Sequence, residues 1–172
     1  MEIIVSSRQA VCGVIQKIQK DKPDNKVVCI SITDPKSEPV NLPLPDYDVL
    51  RLSFHDLDQT YPISGPAIVL FDQVMANQIK DFMMMKVWVH MGRHLDDNEL
   101  VVIVHCEAGI SRSAGVAAAL SKHFLEDDSR FFSNAGLYLP NRLAYSVLLN
   151  ALNGKENPIP NVTLSKNYEN FF

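Results

Sequence analysis

Residues 100–105, LVVIVH, begin with five aliphatic side chains in succession and end on a histidine that is followed by Cys106. Such a run leaves no polar face, so a strand built from it must be covered on both sides. A central strand of a parallel sheet meets that requirement. VVCISI at 27–32, closed by Asp34-Pro35, has the same character. Two further strands are expected at 2–5 and 49–54 (VLRLSF). Between them lie helical stretches. Residues 8–18 place Val11, Val14, Ile15 and Ile18 on one face, with Ser6 as the expected cap. Residues 67–89 place Ile68, Phe71, Met75, Ile79, Phe82 and Met83 near a helical period, with the methionine cluster read as core filling. SAGVAAALSKHFL, 113–125, is a small-residue helix able to pack closely on a sheet, and RLAYSVLLNAL, 142–152, is a last helix with Pro140 in its first turn. DKPDNK is a turn, and the proline-rich PKSEPVNLPLPD cannot be helical. The expected class is α/β, a central, mostly parallel sheet of about four to five strands flanked by helices. In such sheets ligands bind beyond the carboxyl ends of the strands.

The expected organisation is one domain over residues 1–152 and a loosely docked tail over 153–172. A net charge of −4 gives no general attraction for nucleic acid or an anionic membrane, so neither is an expected partner and any anion site has to be made locally. Cys12, Cys29 and Cys106 are too few and too far apart for a disulfide framework or a thiolate metal site, which suits a reducing compartment. MEIIVSSRQ does not read as a leader, and no run is apolar enough to span a bilayer. The expected location is the cytoplasm.

The stretch HCEAGISRS, 105–113, joins the strongest strand to the small-residue helix. Gly109 permits a backbone conformation that other residues resist, and Ala108 and Ser111 crowd it little. A loop of this kind turns successive N–H groups of Glu107, Ala108, Gly109, Ile110, Ser111 and Arg112 inward as an anion nest, and the following helix adds its positive end. The planar Arg112 fork suits two oxygens of a phosphate. The same surroundings favour the thiolate of Cys106, a nucleophile that then needs no general base. Ser113 is placed to donate a hydrogen bond to that sulfur, and His105 to order the loop by hydrogen bonding.

HCEAGISRS resembles the HCxxGxxRS phosphate-binding loop of the cysteine-dependent protein tyrosine phosphatases, especially their compact dual-specificity branch. LRLSFHDLDQ before a long helix is similar to that family's acid-bearing segment, and YLPNRLAYSVLLNAL to its closing Pro-Asn helix; together these cover most of residues 27–152. The late position of the cysteine disfavours the low-molecular-weight branch. The resemblance implies a phosphomonoesterase without metal or cofactor, in which Cys106 is the nucleophile, Arg112 the phosphate clamp and Ser113 the group that eases thiolate departure. The expected substrate is phosphotyrosine in proteins, with phosphoserine or phosphothreonine as further possibilities.

Expulsion of an alkoxide or phenoxide calls for a proton donor on a separate loop. Asp56 directly follows the strand 49–54 at the expected carboxyl edge and is the preferred acid, with Asp58 second. Asp72 and Asp81 are expected as surface charges within the long helix, and Asp96 and Asp97 as exposed loop acids. His55 is a loop histidine with orienting the substrate as its alternative role, and Asn141 a hydrogen-bonding support for the acid loop. Two alternatives remain. One is a phosphoinositide, inositol phosphate or RNA 5′-triphosphate phosphatase, disfavoured because no lysine lies between Cys106 and Arg112. The other is a non-catalytic phosphate-binding module, for which an intact Cys106, Arg112 and Ser113 are unneeded; a rhodanese-like sulfur carrier fits the spacing poorly. A disulfide of Cys29 with Cys106 under oxidation is a further, minor expectation.

Overall fold

A computed structural model describes residues 1–58, 68–92, 100–133 and 136–156. Four strands, β1 (Glu2–Ser7), β2 (Lys26–Thr33), β3 (Val49–Ser53) and β4 (Leu100–Cys106), pair in parallel in the order β1-β4-β2-β3. Every residue of β4 is buried, as its aliphatic run requires. Side chains alternate across the sheet. Val27, Cys29, Val101 and Ile103 face α1 (Val11–Asp21), whereas Val28, Ile30, Ile32, Val102, Val104 and Cys106 face the opposite way. That second, larger core is covered by α2 (Gln73–Met91), α3 (Arg112–Leu125) and α5 (Arg142–Leu152). The short α4 (Ser129–Phe132) adds Phe131 to it.

The register brings the chemistry to one edge. Ser6, His105 and Ser31 lie abreast on β1, β4 and β2, and Thr33 pairs with Ser53. Asp34, Phe54 and the loop after Cys106 therefore leave the sheet on the same side. Small side chains let α3 sit close: residues 112–121 are all buried, and a Cβ added at Gly115 would lie 2.5 Å from the Asn141 carbonyl oxygen. Glycine is thus what allows α3 to meet the start of α5.

Several boundaries differ from the sequence expectations. Pairing with β4 carries β1 through Ser7, so α1 starts at Val11 rather than residue 8. Ser6 is not its cap; the Ser7 hydroxyl accepts from the Ala10 N–H at 3.3 Å. The long helix begins at Gln73, because the Asp72 carboxylate caps it by accepting from the Met75 N–H at 2.9 Å. Residues 68–71 precede the helix, and Phe71 packs edge-on against Phe54, centroids 5.1 Å apart. Asp72 is therefore a capping residue rather than a charge within the helix. The methionine cluster divides: Met83 is buried and Met75 packs on the core, but Met84, Met85 and Met91 are exposed. Pro140 precedes the Asn141 cap of α5 instead of entering its first turn. Asp96, Asp97 and the tail beyond residue 156 lie outside the described residues. Among the described residues no helix is long and apolar enough to cross a membrane.

Candidate active site

β4 delivers Cys106 to the carboxyl edge with its sulfur 3.1 Å from the Ser113 hydroxyl, both side chains buried. The loop between them is pinned on two flanks by its own carbonyls. Glu107 O accepts from the Arg8 N–H at 3.1 Å, Ile110 O from Leu139 at 3.0 Å and Ser111 O from Asn141 at 3.1 Å. Gly109 sits at φ 74°, and a Cβ there would meet the backbone of Ser6 and Ser7 at 2.8 Å. Glycine is demanded twice at this position, by the left-handed backbone and by the close approach. Three of the loop's carbonyls are thus engaged by neighbouring segments.

Arg112, the first residue of α3, runs back beneath the loop and is almost wholly buried. Its Nη1 donates to Asp34 Oδ1 at 2.9 Å and to the Phe54 carbonyl at 2.8 Å, while Nη2 reaches Asp34 Oδ2 at 3.4 Å. Nε is buried with no hydrogen-bond partner among the described residues. A buried cationic donor without an acceptor is costly, so an anion on the Nε side would relieve that cost.

The two aspartates after β3 have different surroundings. Asp56 Oδ1 accepts from the Ser111 hydroxyl at 2.6 Å and from Asn141 Nδ2 at 3.0 Å, which joins it to the cysteine loop. Asp58 instead accepts from the Arg142 and Leu143 N–H groups at 2.8 and 3.4 Å, at the start of α5. That is the place of an anion at a helix N-terminus. Asn141 ties the parts together: it caps α5 through the Ala144 N–H at 2.8 Å and also donates to the Leu57 carbonyl at 3.3 Å.

The histidines are structural in their contacts. His55 accepts from the Val69 N–H at Nδ1, 3.0 Å, which anchors its ring to the chain entering α2. His105 bonds Ser31 Oγ at 2.8 Å through Nε2, so it joins β4 to β2. Burial pushes its pKa down to about 4, the neutral imidazole being the form that the core tolerates. Cys29 cannot join Cys106 in a disulfide in this fold, because the two face opposite sides of the sheet. Burial pushes the Cys29 thiol up to about 12. Among the described residues no cluster of His, Cys, Asp and Glu is arranged to hold a metal ion.

Four contributors were not foreseen from the sequence: Asp34 and the Phe54 carbonyl on Arg112, Ser111 on Asp56, and Arg8 on the loop. Asp34 had a readable signal, since it leaves β2 at the same edge that singled out Asp56. The contacts of Ser111 and Arg8 span long stretches of chain and had none.

The sequence matches no family model and no curated protein. Solved structures do match. The PTP-2 phosphatase of Cydia pomonella is similar over 87% of this chain and 85% of that one, with 17% identity and a TM-score of 0.53. Human DUSP28 is similar over 88% and 92%, with 15% identity and a TM-score of 0.54. PTPMT1, solved in complex with PI(5)P, is similar over 89% and 91%, with 16% identity and a TM-score of 0.50. The chain thus shares the fold of these phosphatase structures.

Proposed function

We propose that the protein is a phosphomonoesterase that works through a cysteinyl-phosphate intermediate and acts on phosphotyrosine in proteins. The observation that carries this reading is the Cys106 sulfur, 3.1 Å from the Ser113 hydroxyl at the foot of a loop whose Glu107, Ile110 and Ser111 carbonyls are tied to neighbouring segments. A module that only binds phosphate has no use for a hydroxyl on a buried cysteine.

In the first step the Cys106 thiolate attacks phosphorus and the bond from phosphorus to the ester oxygen breaks. Asp56, as the carboxylic acid, gives its proton to the departing oxygen. The loop N–H groups and the Nε edge of Arg112 hold the equatorial oxygens, where charge is densest in the transition state. In the second step Asp56, now a carboxylate, takes a proton from water as the water oxygen attacks phosphorus. The phosphorus–sulfur bond breaks, and the Ser113 hydroxyl donates to the thiolate that leaves. Asp56 suits the donor role because Ser111 and Asn141 hold one of its oxygens against the loop. Asp58 is engaged by the α5 backbone instead. For the substrate, Glu107 is exposed and no lysine lies in the loop, which disfavours the polyanionic head of an inositol phosphate or an RNA 5′-triphosphate.

The test is hydrolysis of para-nitrophenyl phosphate in EDTA by wild type, Cys106→Ser, Asp56→Ala and Asp58→Ala. Cys106→Ser should abolish turnover, and Asp56→Ala should lower kcat by roughly 10²–10⁴-fold. Asp58→Ala should cost about 1 kcal/mol of stability and little rate. Absence of turnover by pure wild-type protein would overturn the reading in favour of a binding module.

A further inference from the structure

Beside the loop, three large apolar side chains are exposed on one flank. Ile110, within the loop, is 41% exposed, and Leu137 and Leu139 are 57% and 71% exposed. They belong together because the Leu139 N–H donates to the Ile110 carbonyl at 3.0 Å and Asn141 to Ser111 at 3.1 Å. Those bonds fix the 137–141 segment as a wall of the phosphate loop. Tyr138 turns inward against Phe131, ring centroids 5.4 Å apart, which leaves the leucines on either side of it outward. Across the loop the wall is polar, with Arg8 and the exposed Glu107 paired at 3.7 Å.

We infer that Ile110, Leu137 and Leu139 form a ledge that selects phosphotyrosine peptides carrying an aliphatic residue next to the phosphotyrosine. The inference rests on the phosphatase reading above, since it takes the loop as the seat of the phosphate. Three large apolar side chains standing in water at the mouth of an anion site lower their exposure only when the bound molecule is apolar beside its phosphate. A peptide satisfies both demands from one extended chain. A phosphoinositide in a membrane would also meet the leucines with acyl chains, but charge decides against it. The chain is acidic overall, at −4, and an anionic bilayer would bring its surface up to the exposed Glu107.

The experiment compares two phosphotyrosine peptides that differ only in having leucine or aspartate at both positions adjoining the phosphotyrosine. Wild type should show kcat/KM about tenfold higher for the leucine peptide, the discrimination expected of one aliphatic side chain in an apolar site. The double variant Leu137→Ser/Leu139→Ser should bring the two peptides within about twofold, with each rate taken relative to the same variant's para-nitrophenyl phosphate hydrolysis so that any change in the phosphate loop itself cancels. Leu139→Ser alone should give an intermediate ratio and serves if the double variant folds poorly. Binding of the same labelled peptides to Cys106→Ser judges the ledge separately from turnover, so failure of the catalytic reading and failure of the ledge are distinguishable. Equal handling of the two peptides by wild type, or a preference that survives the double variant, overturns the inference. So does faster phosphate release from phosphatidylinositol-5-phosphate vesicles than from either peptide, with that release lost in the double variant.

Discussion

Asp34 offers the sharpest test of how the site is built, because two opposite outcomes follow from two views of the same ion pair. If Asp34 competes with phosphate for Arg112, removing it should tighten anion binding. If it positions the guanidinium, removing it should loosen binding. The geometry favours positioning. Both short bonds, from Asp34 at 2.9 Å and Phe54 at 2.8 Å, fall on Nη1, and among the described residues the other terminal nitrogen has only the long 3.4 Å contact. Nε, which a competitor would have to occupy, has no partner among the described residues. A fork anchored at one corner presents the edge formed by Nε and Nη2, the edge that grips two oxygens at once.

The magnitude follows from burial. The Arg112 side chain is 5% exposed and that of Asp34 45%. Breaking a fully buried pair costs about 3–5 kcal/mol and an exposed one about 0–1. A buried guanidinium facing a half-exposed carboxylate falls between, at about 1–2 kcal/mol after screening by water. Loss of the Asp34 charge also removes a repulsion on the bound phosphate, worth less than about 1 kcal/mol at such exposure. The net expectation for Asp34→Ala is a Ki for vanadate or inorganic phosphate raised about tenfold. Asp34→Asn keeps one acceptor for Nη1 and should be raised only about threefold. Inhibition is read against para-nitrophenyl phosphate, with a thermal melt of each variant to separate unfolding from lost positioning. A Ki that falls in both variants would refute the positioning argument and make Asp34 a competitor for the site.

Other perturbations reach the site through the backbone or the core. Gly109→Ala should cost about 2 kcal/mol or more and abolish turnover, since the added Cβ meets main chain of Ser6 and Ser7 at 2.8 Å on a residue with φ 74°. Gly115→Ala should push Asn141 away from α3 and lower kcat while Cys106 stays alkylatable, because Asn141 carries one of the two bonds to Asp56. His105 stays neutral in the folded chain down to about pH 4 but protonates near 6.5 when unfolded. The unfolded chain thus binds more protons between those values, and stability should fall by about 3 kcal/mol as pH drops through them, measured by urea denaturation. His105→Asn should flatten that part of the profile. Iodoacetamide at pH 8 should label Cys106, with protection by vanadate, and leave Cys29 unmodified in the folded protein; labelling of Cys29 at a comparable rate would contradict its burial and raised pKa.

The uneven legibility of this chain in its sequence has a physical origin. β2 and β4 were readable because a strand buried on both faces has to be aliphatic throughout, which leaves a local signature in VVCISI and LVVIVH. The α3 helix was readable for a similar reason, as close packing against the sheet restricts it to small residues. Helix starts were harder to read. The start of α2 turns on a single capping bond from Asp72, and hydrophobic periodicity from Ile68 onward runs straight through it. Pairing decisions were out of reach too. Ile68 and Phe71 look helical in spacing, yet Phe71 packs against Phe54 from before the helix. Within the site, the residues legible from the sequence lie in one contiguous stretch or just after a strand, except Asn141 at the cap of α5. What the sequence left open, Asp56 against Asp58, is a matter of two residues of chain that diverge in space. Asp56 turns to Ser111, 55 positions along, and Asp58 to the α5 backbone, 84 positions along. Only the register of the parallel sheet brings those distant segments to one edge, and that register is set by the pairing of all four strands together. Cys106 and its loop are therefore a local property of the chain, and the place of Asp56 beside them a property of the fold.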